Sequence, residues 1–259
     1  MVYVALSRVE SLSQLYILEA LPVNKIKPWT DAVEEMNRLD ELDKQGQRKN
    51  EENFIILSLN ICSLASSIDD ILSDPNIHAV QVLCLQETWL KPEIDNNLNL
   101  PNFQYCHYNS VRKGAGIATY FNEPFKLHKD ISAVSYQMTV ICSEEVSIIN
   151  IYRSSSANNS NLICHLKTEL ENQCHQTVII CADWNFCHRD EKNHCIYKFL
   201  IANEFSPCGN PPKASQKEGR CIDMIWMRSI KFCDTFTYGS KAVYYSDHDQ
   251  QLLCLNEKK

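Results

Sequence analysis

The sequence predicts a layered α/β domain over residues 49–259, and three observations carry that reading. Short apolar runs of strand length alternate with segments of helical spacing, beginning with Phe54–Asn60, Ser66–Leu72 and Val80–Trp89, and strand–helix–strand order in this rhythm builds layers. The run Val178–Ala182 follows Thr177 without a polar break, as in a strand buried on both faces. Acid, amide, phenol and imidazole side chains stand beside six of the apolar runs, an arrangement expected where two sheets pack face to face and their loops meet at one edge.

Taken in order, residues 1–48 hold a short apolar start and a helical pattern, Trp29–Leu39, with Thr30 or Asp31 as its N-cap. The charged run Leu39–Glu52 reads as a helix end followed by a linker. After it come the strand Phe54–Asn60, a serine-capped helix over Ser66–Leu72, and the strand Val80–Trp89, which finishes on polar residues. Gly114–Phe121, Gln137–Cys142 and Val146–Tyr152 read as three strands of an antiparallel meander, because their links are too short for helices. Leu162, Leu166 and Leu170 set a helix over Leu162–Cys174, which delivers the chain into the strand Val178–Phe186. A helix at Cys195–Phe205, a Pro/Gly/Lys/Ser loop over 207–220, the strand Cys221–Met227 and a closing strand pair, Ala242–His248 with Gln251–Leu255, complete the chain.

Composition narrows the function classes. Hydrophobic residues make up 44% of the chain and charged residues 22%, which is ordinary globular composition and excludes a disordered protein. The net charge of -7 argues against gripping nucleic acid by charge alone, so any such binding is local or metal-assisted. The 13 cysteines include no Cys-x-x-Cys pair, a spacing that fits reduced thiols of an intracellular protein rather than a zinc site or disulfide framework. No stretch approaches the roughly 20 apolar residues of a membrane span, and no signal-peptide pattern opens the chain. A soluble, nuclear or cytoplasmic protein is expected.

The centre of the chemistry is the end of Val178–Phe186, where Asp183 and Asn185 reach solvent. With period-2 alternation the two side chains point the same way, an acceptor that carries charge beside a donor-acceptor amide. Such a pair suits a phosphate ester and an attacking water, although Asx residues at a strand end commonly only start a turn. Asn60, Glu87, Tyr152, Asp223, Asp247 and His248 mark the other strand ends. Oxygen donors from Glu87 and its neighbours suit a hard cation such as magnesium or manganese, whereas zinc prefers Cys and His at closed spacing.

In order, Leu57–Asn60, Leu85–Thr88, Asn150–Arg153, Ala182–Phe186, Cys221–Asp223 and Ser246–His248 resemble the motifs of the endonuclease/exonuclease/phosphatase superfamily, most nearly its non-LTR retrotransposon and Helitron-linked endonuclease branch. The resemblance runs from Phe54 to Leu255. It implies a four-layered α/β sandwich, deoxyribonuclease-like, with two packed mixed β-sheets flanked by helices. It also implies a magnesium-dependent endonuclease that nicks DNA and leaves a 3′-hydroxyl and a 5′-phosphate. By that resemblance Glu87, Asn60 and Asp247 hold the metal, with Asp247 as a direct or water-mediated partner. Asp183 orients or deprotonates the attacking water, and Asn185 and Tyr152 contact the phosphate. His248 donates to the scissile phosphate, with Asp223 fixing its tautomer and charge; an alternative places Asp223 as a buried acid satisfied by Arg220. Arg153, together with Arg112 and Lys113, is a further candidate for DNA phosphate contact, and exposed basic residues are otherwise simply solvated.

Met1–Leu18 resembles the last motif of Pif/RecD-type helicases carried by Helitron transposons, with Arg8 in the place of the arginine that reaches the nucleotide. Residues 1–48 are on this reading a helicase remnant and linker. No phosphate loop of the G-x-x-x-x-G-K-[ST] type is present, so ATP hydrolysis is not expected. Two rival functions keep the same residues: a phosphodiesterase or phosphatase acting on RNA, phospholipid or inositol substrates, and a catalytically silent nucleic-acid-binding module.

Overall fold

The structure is a computed structural model that describes residues 53–90, 98–108, 114–172, 177–189, 192, 194–209, 215–216, 219–229 and 236–256, all within one compact unit, Asn50–Lys259. The helicase-like segment, the linker, Arg112 and Lys113 lie outside the described residues.

Twelve strands are described: β1 (Asn53–Asn60), β2 (Val82–Gln86), β3 (Gln104–Tyr108), β4 (Ile117–Phe121), β5 (Lys126–Ser132), β6 (Tyr136–Cys142), β7 (Val146–Arg153), β8 (Thr177–Asp183), β9 (Ser206–Pro207), β10 (Asp223–Ser229), β11 (Phe236–Ala242) and β12 (Asp249–Asn256). The helices are α1 (Leu64–Ser73), α2 (Pro75–His78), α3 (Asn159–Asn172) and α4 (Cys195–Ala202). The strands form two mixed sheets, ordered β11-β12-β1-β2-β4-β3 and β5-β6-β7-β8-β10-β9. Each contains one described parallel pair, β1 with β2 and β7 with β8, joined by the crossovers that carry α1–α2 and α3.

The two sheets pack on each other through Ile56, Val82, Cys84, Ile148, Ile179, Cys181, Ile225 and Leu253, all buried. Helices α3 and α4 cover the far face of the second sheet through Leu162, Leu166, Ile196 and Leu200. Helices α1 and α2 cover the far face of the first through Leu64, Ile71 and Ile77. Because β7 and β8 are covered on both faces, every residue of each is buried. That burial explains the near-continuous apolar run of β8, whereas β7 also buries Ser147, Asn150 and Arg153. This is the four-layered sandwich of two mixed sheets flanked by helices that the motifs imply.

A polar network also joins the sheets. Gln86 Nε2 donates to Asn150 Oδ1 at 2.7 Å, and Asn150 Nδ2 donates to Thr119 Oγ1 at 3.0 Å and to the Ala118 carbonyl at 3.1 Å. Asn150 and Gln86 are each 1% exposed, so their bonds fix how the two sheets register.

Several elements differ from expectation. The predicted meander is divided between sheets: β4 pairs with β2 and β3, while β6 and β7 pair in the other sheet. The edge strand β5 lies between them and escaped notice because its sequence, KLHKDIS, is polar and largely exposed. Strands β3 and β11 escaped for the same reason. Helix α1 begins at Leu64 rather than Ser66, and Ser66 Oγ donates to the Ser63 carbonyl instead of capping. Residues 243–248 form a loop, and the partner of β12 is β11 just upstream.

Candidate active site

Strand register lays the site's acidic row. Asp183 ends β8, and on its two sides it faces Tyr152 of parallel β7 and Asp223, the first residue of antiparallel β10. Three neighbouring strands therefore present a phenol and two carboxylates side by side. From the first sheet come Asn60, at the end of β1, and Glu87, just past β2. Backbone bonds Ile61 N to Gln86 O at 2.9 Å and Ser63 N to Glu87 O at 3.0 Å hold those two strand ends together.

The two sheet edges meet at Asp183. Asn60 Nδ2 donates to Asp183 Oδ2 at 2.9 Å, the Asn185 backbone N–H donates to Oδ1 at 3.0 Å, and Asn185 Nδ2 reaches Oδ2 at 3.2 Å. Asn185 lies beyond the strand with φ 52°. Its side chain meets Asp183 through a left-handed turn, not through the pleat alternation the sequence suggests. The carboxylate does not reach solvent as the sequence suggests but is fully buried, because the end of β1 packs Asn60 against it. Burial, followed by the facing Asp223 charge, pushes its pKa well above the usual range, against the pull of His248.

His248 Nδ1 lies 2.7 Å from Asp223 Oδ2, with both groups about 5% exposed or less. Burial opposes charge on the ring, but the Asp223 hydrogen bond and the Asp223, Asp183 and Asp247 charges outweigh it and raise its pKa to about 9. The partner of Asp223 Oδ2 is thus the imidazole rather than Arg220, which stands exposed on the rim, and Asp223 Oδ1 has no hydrogen-bond partner among the described residues. Ser246 Oγ accepts from the His248 backbone N–H at 3.0 Å and donates to the Asn60 carbonyl at 2.6 Å. That hydroxyl pins the last loop to β1.

Glu87, Asn185, Asp247 and His248 open on one cleft of about 540 Å³, whose wall also includes Cys62 and Trp89. Burial raises the Glu87 pKa, opposed by hydrogen bonds from Trp89 and Asn60; Trp89 Nε1 donates to Glu87 Oε2 at 3.3 Å. Five residues here, Cys62, Ser63, Glu87, Trp89 and Asn185, have positive φ without being glycine. Such backbone is costly and collects where geometry serves function.

Tyr152 sits beside Asp183 in strand register but packs with Ala115 and Ile117, its hydroxyl donates to the Gly114 carbonyl at 2.6 Å, and it is not among the described residues that line the cleft. Arg153 departs from expectation. It is 4% exposed, with Nε donating to Asn159 Oδ1 at 2.8 Å and Nη1 to the Trp184 carbonyl at 2.7 Å. The guanidinium ties β7 to the turn after β8 and is not offered to a DNA phosphate. A buried arginine and an exposed one look alike in sequence; the neighbouring carbonyl decides between them. Conversely, Cys62 and Trp89 join the site, as does Ser246 of the Ser246–His248 motif, although sequence reasoning assigned none of the three a role. Their only signal was position, within two residues of Asn60, Glu87 and His248.

The donor set tests the expected metal. Asn60 Oδ1 accepts from the Cys62 backbone N–H and thiol, at 3.2 and 3.3 Å, burial raises the Glu87 pKa, and Asp247 is half exposed. Oxygen donors of this kind, two of them anionic and open to water, fit a hard divalent cation.

The sequence matches the endonuclease/exonuclease/phosphatase family over residues 57–248; no curated protein matches it. Similar solved structures include the endonuclease domain of TRAS1, a telomere-specific non-LTR retrotransposon, at 9% identity and TM-score 0.61, covering 80% of this chain and 100% of that one. The AP endonuclease LMAP from Leishmania major superposes with TM-score 0.62 at 14% identity, over 80% of this chain and 89% of its own. The Xenopus laevis APE2 catalytic domain gives 0.60 at 16% identity, over 80% and 94%. With a family match that runs from residue 57 to residue 248 and so spans both sheets, the chain belongs to the endonuclease/exonuclease/phosphatase family.

Proposed function

We propose that this protein is a metal-dependent phosphodiester hydrolase that nicks DNA, leaving a 3′-hydroxyl and a 5′-phosphate. The observation that carries the reading is the bonding of Asn60 from one sheet to Asp183 from the other, beside the His248–Asp223 pair.

The geometry is consistent with the roles that the family resemblance implies. Asp183, held by three donors and raised by burial and Asp223, is placed to orient water and accept its proton. His248, charged near neutral pH and locked by Asp223, presents Nε2 to the cleft as a donor to the scissile phosphate. Asn185 frames the phosphate. Glu87, Asn60 and Asp247 would hold magnesium or manganese, which when bound supplies Lewis acidity at the phosphate oxygens. The similarity to TRAS1 and AP endonucleases favours DNA over RNA or phospholipid substrates, and the Met1–Leu18 resemblance supports an origin in a Helitron-type element.

Supercoiled plasmid in magnesium provides the test. Wild-type protein should relax it by single nicks, EDTA should stop the reaction, and Asp183→Ala should reduce it by roughly 10²-fold or more. Equal rates for wild type and variant would leave only a silent binding module.

A further inference from the structure

Cys62, Asp247 and His248 place one sulfur, one carboxylate oxygen and one imidazole nitrogen within 4.8 Å of one another. The Cys62 thiol donates to Asp247 Oδ1 at 2.8 Å, and His248 Nε2 lies 3.9 Å from the same oxygen. From this geometry we infer that the cleft contains a second, inhibitory site for zinc or a similar borderline-soft divalent cation, formed by Cys62 Sγ, Asp247 and His248 Nε2.

Four features support the inference. Thiolate, imidazole and carboxylate are the donors zinc takes, with bonds of about 2.0–2.3 Å. Tetrahedral placement at those lengths sets donors about 3.4–3.6 Å apart, between the two separations found here, and half-exposed Asp247 has room to swing. His248 also carries the outer partner usual for a metal-bound imidazole: its Nδ1 is engaged by Asp223 at 2.7 Å, which leaves Nε2 to face the ion. The cleft is open, so water fills the fourth position. Magnesium does not compete for these atoms as a set, because sulfur is a poor donor to a hard cation.

On binding, the thiol S–H proton, and the Nε2 proton where the ring is charged, pass to solvent as the metal–sulfur and metal–nitrogen bonds form. The ion then occupies the nitrogen that the proposed reaction needs and withdraws Asp247 from the magnesium set. Inhibition rests on the proposed nuclease activity; binding does not.

The experiment uses cobalt(II) as a spectroscopic substitute for zinc on the full chain. One equivalent should produce thiolate-to-cobalt charge-transfer absorption in the near ultraviolet that zinc displaces. Cys62→Ser should abolish that absorption. Asp247→Asn should retain it at an affinity lower by at least about tenfold. In plasmid nicking with magnesium in excess, Cys62→Ser should raise the zinc concentration for half-inhibition by at least about tenfold. Absence of the absorption in wild type, or its persistence in Cys62→Ser, overturns the site. A chain that shows the absorption but nicks nothing would retain the metal site and remove the nuclease reading.

Discussion

Asp183 and Asp223 stand directly opposite one another on antiparallel β8 and β10, two buried carboxylates in facing positions. Like charges so placed repel, and the site offsets this from both sides. Asn60 and Asn185 donate to Asp183, and His248 pairs with Asp223. The row is therefore a balanced unit, and removing one member should redistribute charge as well as delete a contact.

Asp223→Asn tests that balance. The variant loses the buried ion pair with His248 but also loses the repulsion against Asp183, so stability to denaturant should fall by less than the roughly 3–5 kcal/mol of a buried pair broken without such relief. Plasmid nicking should nonetheless fall roughly 10²- to 10⁴-fold in kcat, because His248 loses the partner that sets its charge and orientation. A large loss of stability with unchanged kcat would place Asp223 in the scaffold alone.

Asn185 combines a left-handed backbone with side-chain bonds to Asp183 and to the Arg153 carbonyl. Asn185→Gly keeps the backbone preference and loses the bonds; Asn185→Ala loses both. Both variants should nick poorly, and the alanine variant should be less stable than the glycine variant by about 1 kcal/mol in urea unfolding. Equal stability would mean that φ at this turn imposes no strain.

Arg153→Ala separates a scaffold from a DNA-contact role. It removes two charge-assisted bonds and a guanidinium 5.9 Å from the Phe186 ring. Unfolding stability should fall by about 3 kcal/mol. The salt dependence of DNA affinity should keep its slope, since no phosphate contact is lost; a shallower slope would return Arg153 to the DNA interface.

His188 is 1% exposed, its ring nitrogens have no hydrogen-bond partner among the described residues, and Trp184, Phe186, Tyr197 and Trp226 rings surround it. Burial, with a smaller push from nearby His194, lowers its pKa to about 3. The unfolded chain then binds a proton below its ordinary value of 6.5 that the folded chain refuses, so acid destabilises the fold. From pH 6.5 to 4 this single group should lower stability by about 3 kcal/mol. His188→Phe should flatten that part of the stability–pH curve, and parallel curves for the two proteins would exclude the effect.

Much of the fold is legible because burial writes itself into sequence. Strand β8 is covered on both faces and reads as an apolar run, and α3 shows its buried stripe in Leu162, Leu166 and Leu170. Polar edge strands carry no such mark. Strand β5 is recognisable only by its pairing with β6, so the predicted meander joined strands that belong to different sheets.

The sequence by itself determined which side chains end the buried strands β1 and β8, and hence that Asn60 and Asp183 stand where apolar runs stop. Only the tertiary structure decided which of them meet. Asn60 and Asp183 are separated by more than a hundred residues and touch because the two sheets pack on one core, an outcome of long-range packing that no local period records. The same packing turned Arg153 inward and brought Cys62 against Asp247. A side chain's chemistry is written in the chain, but its neighbours, and so its charge and exposure, are set when the sheets close.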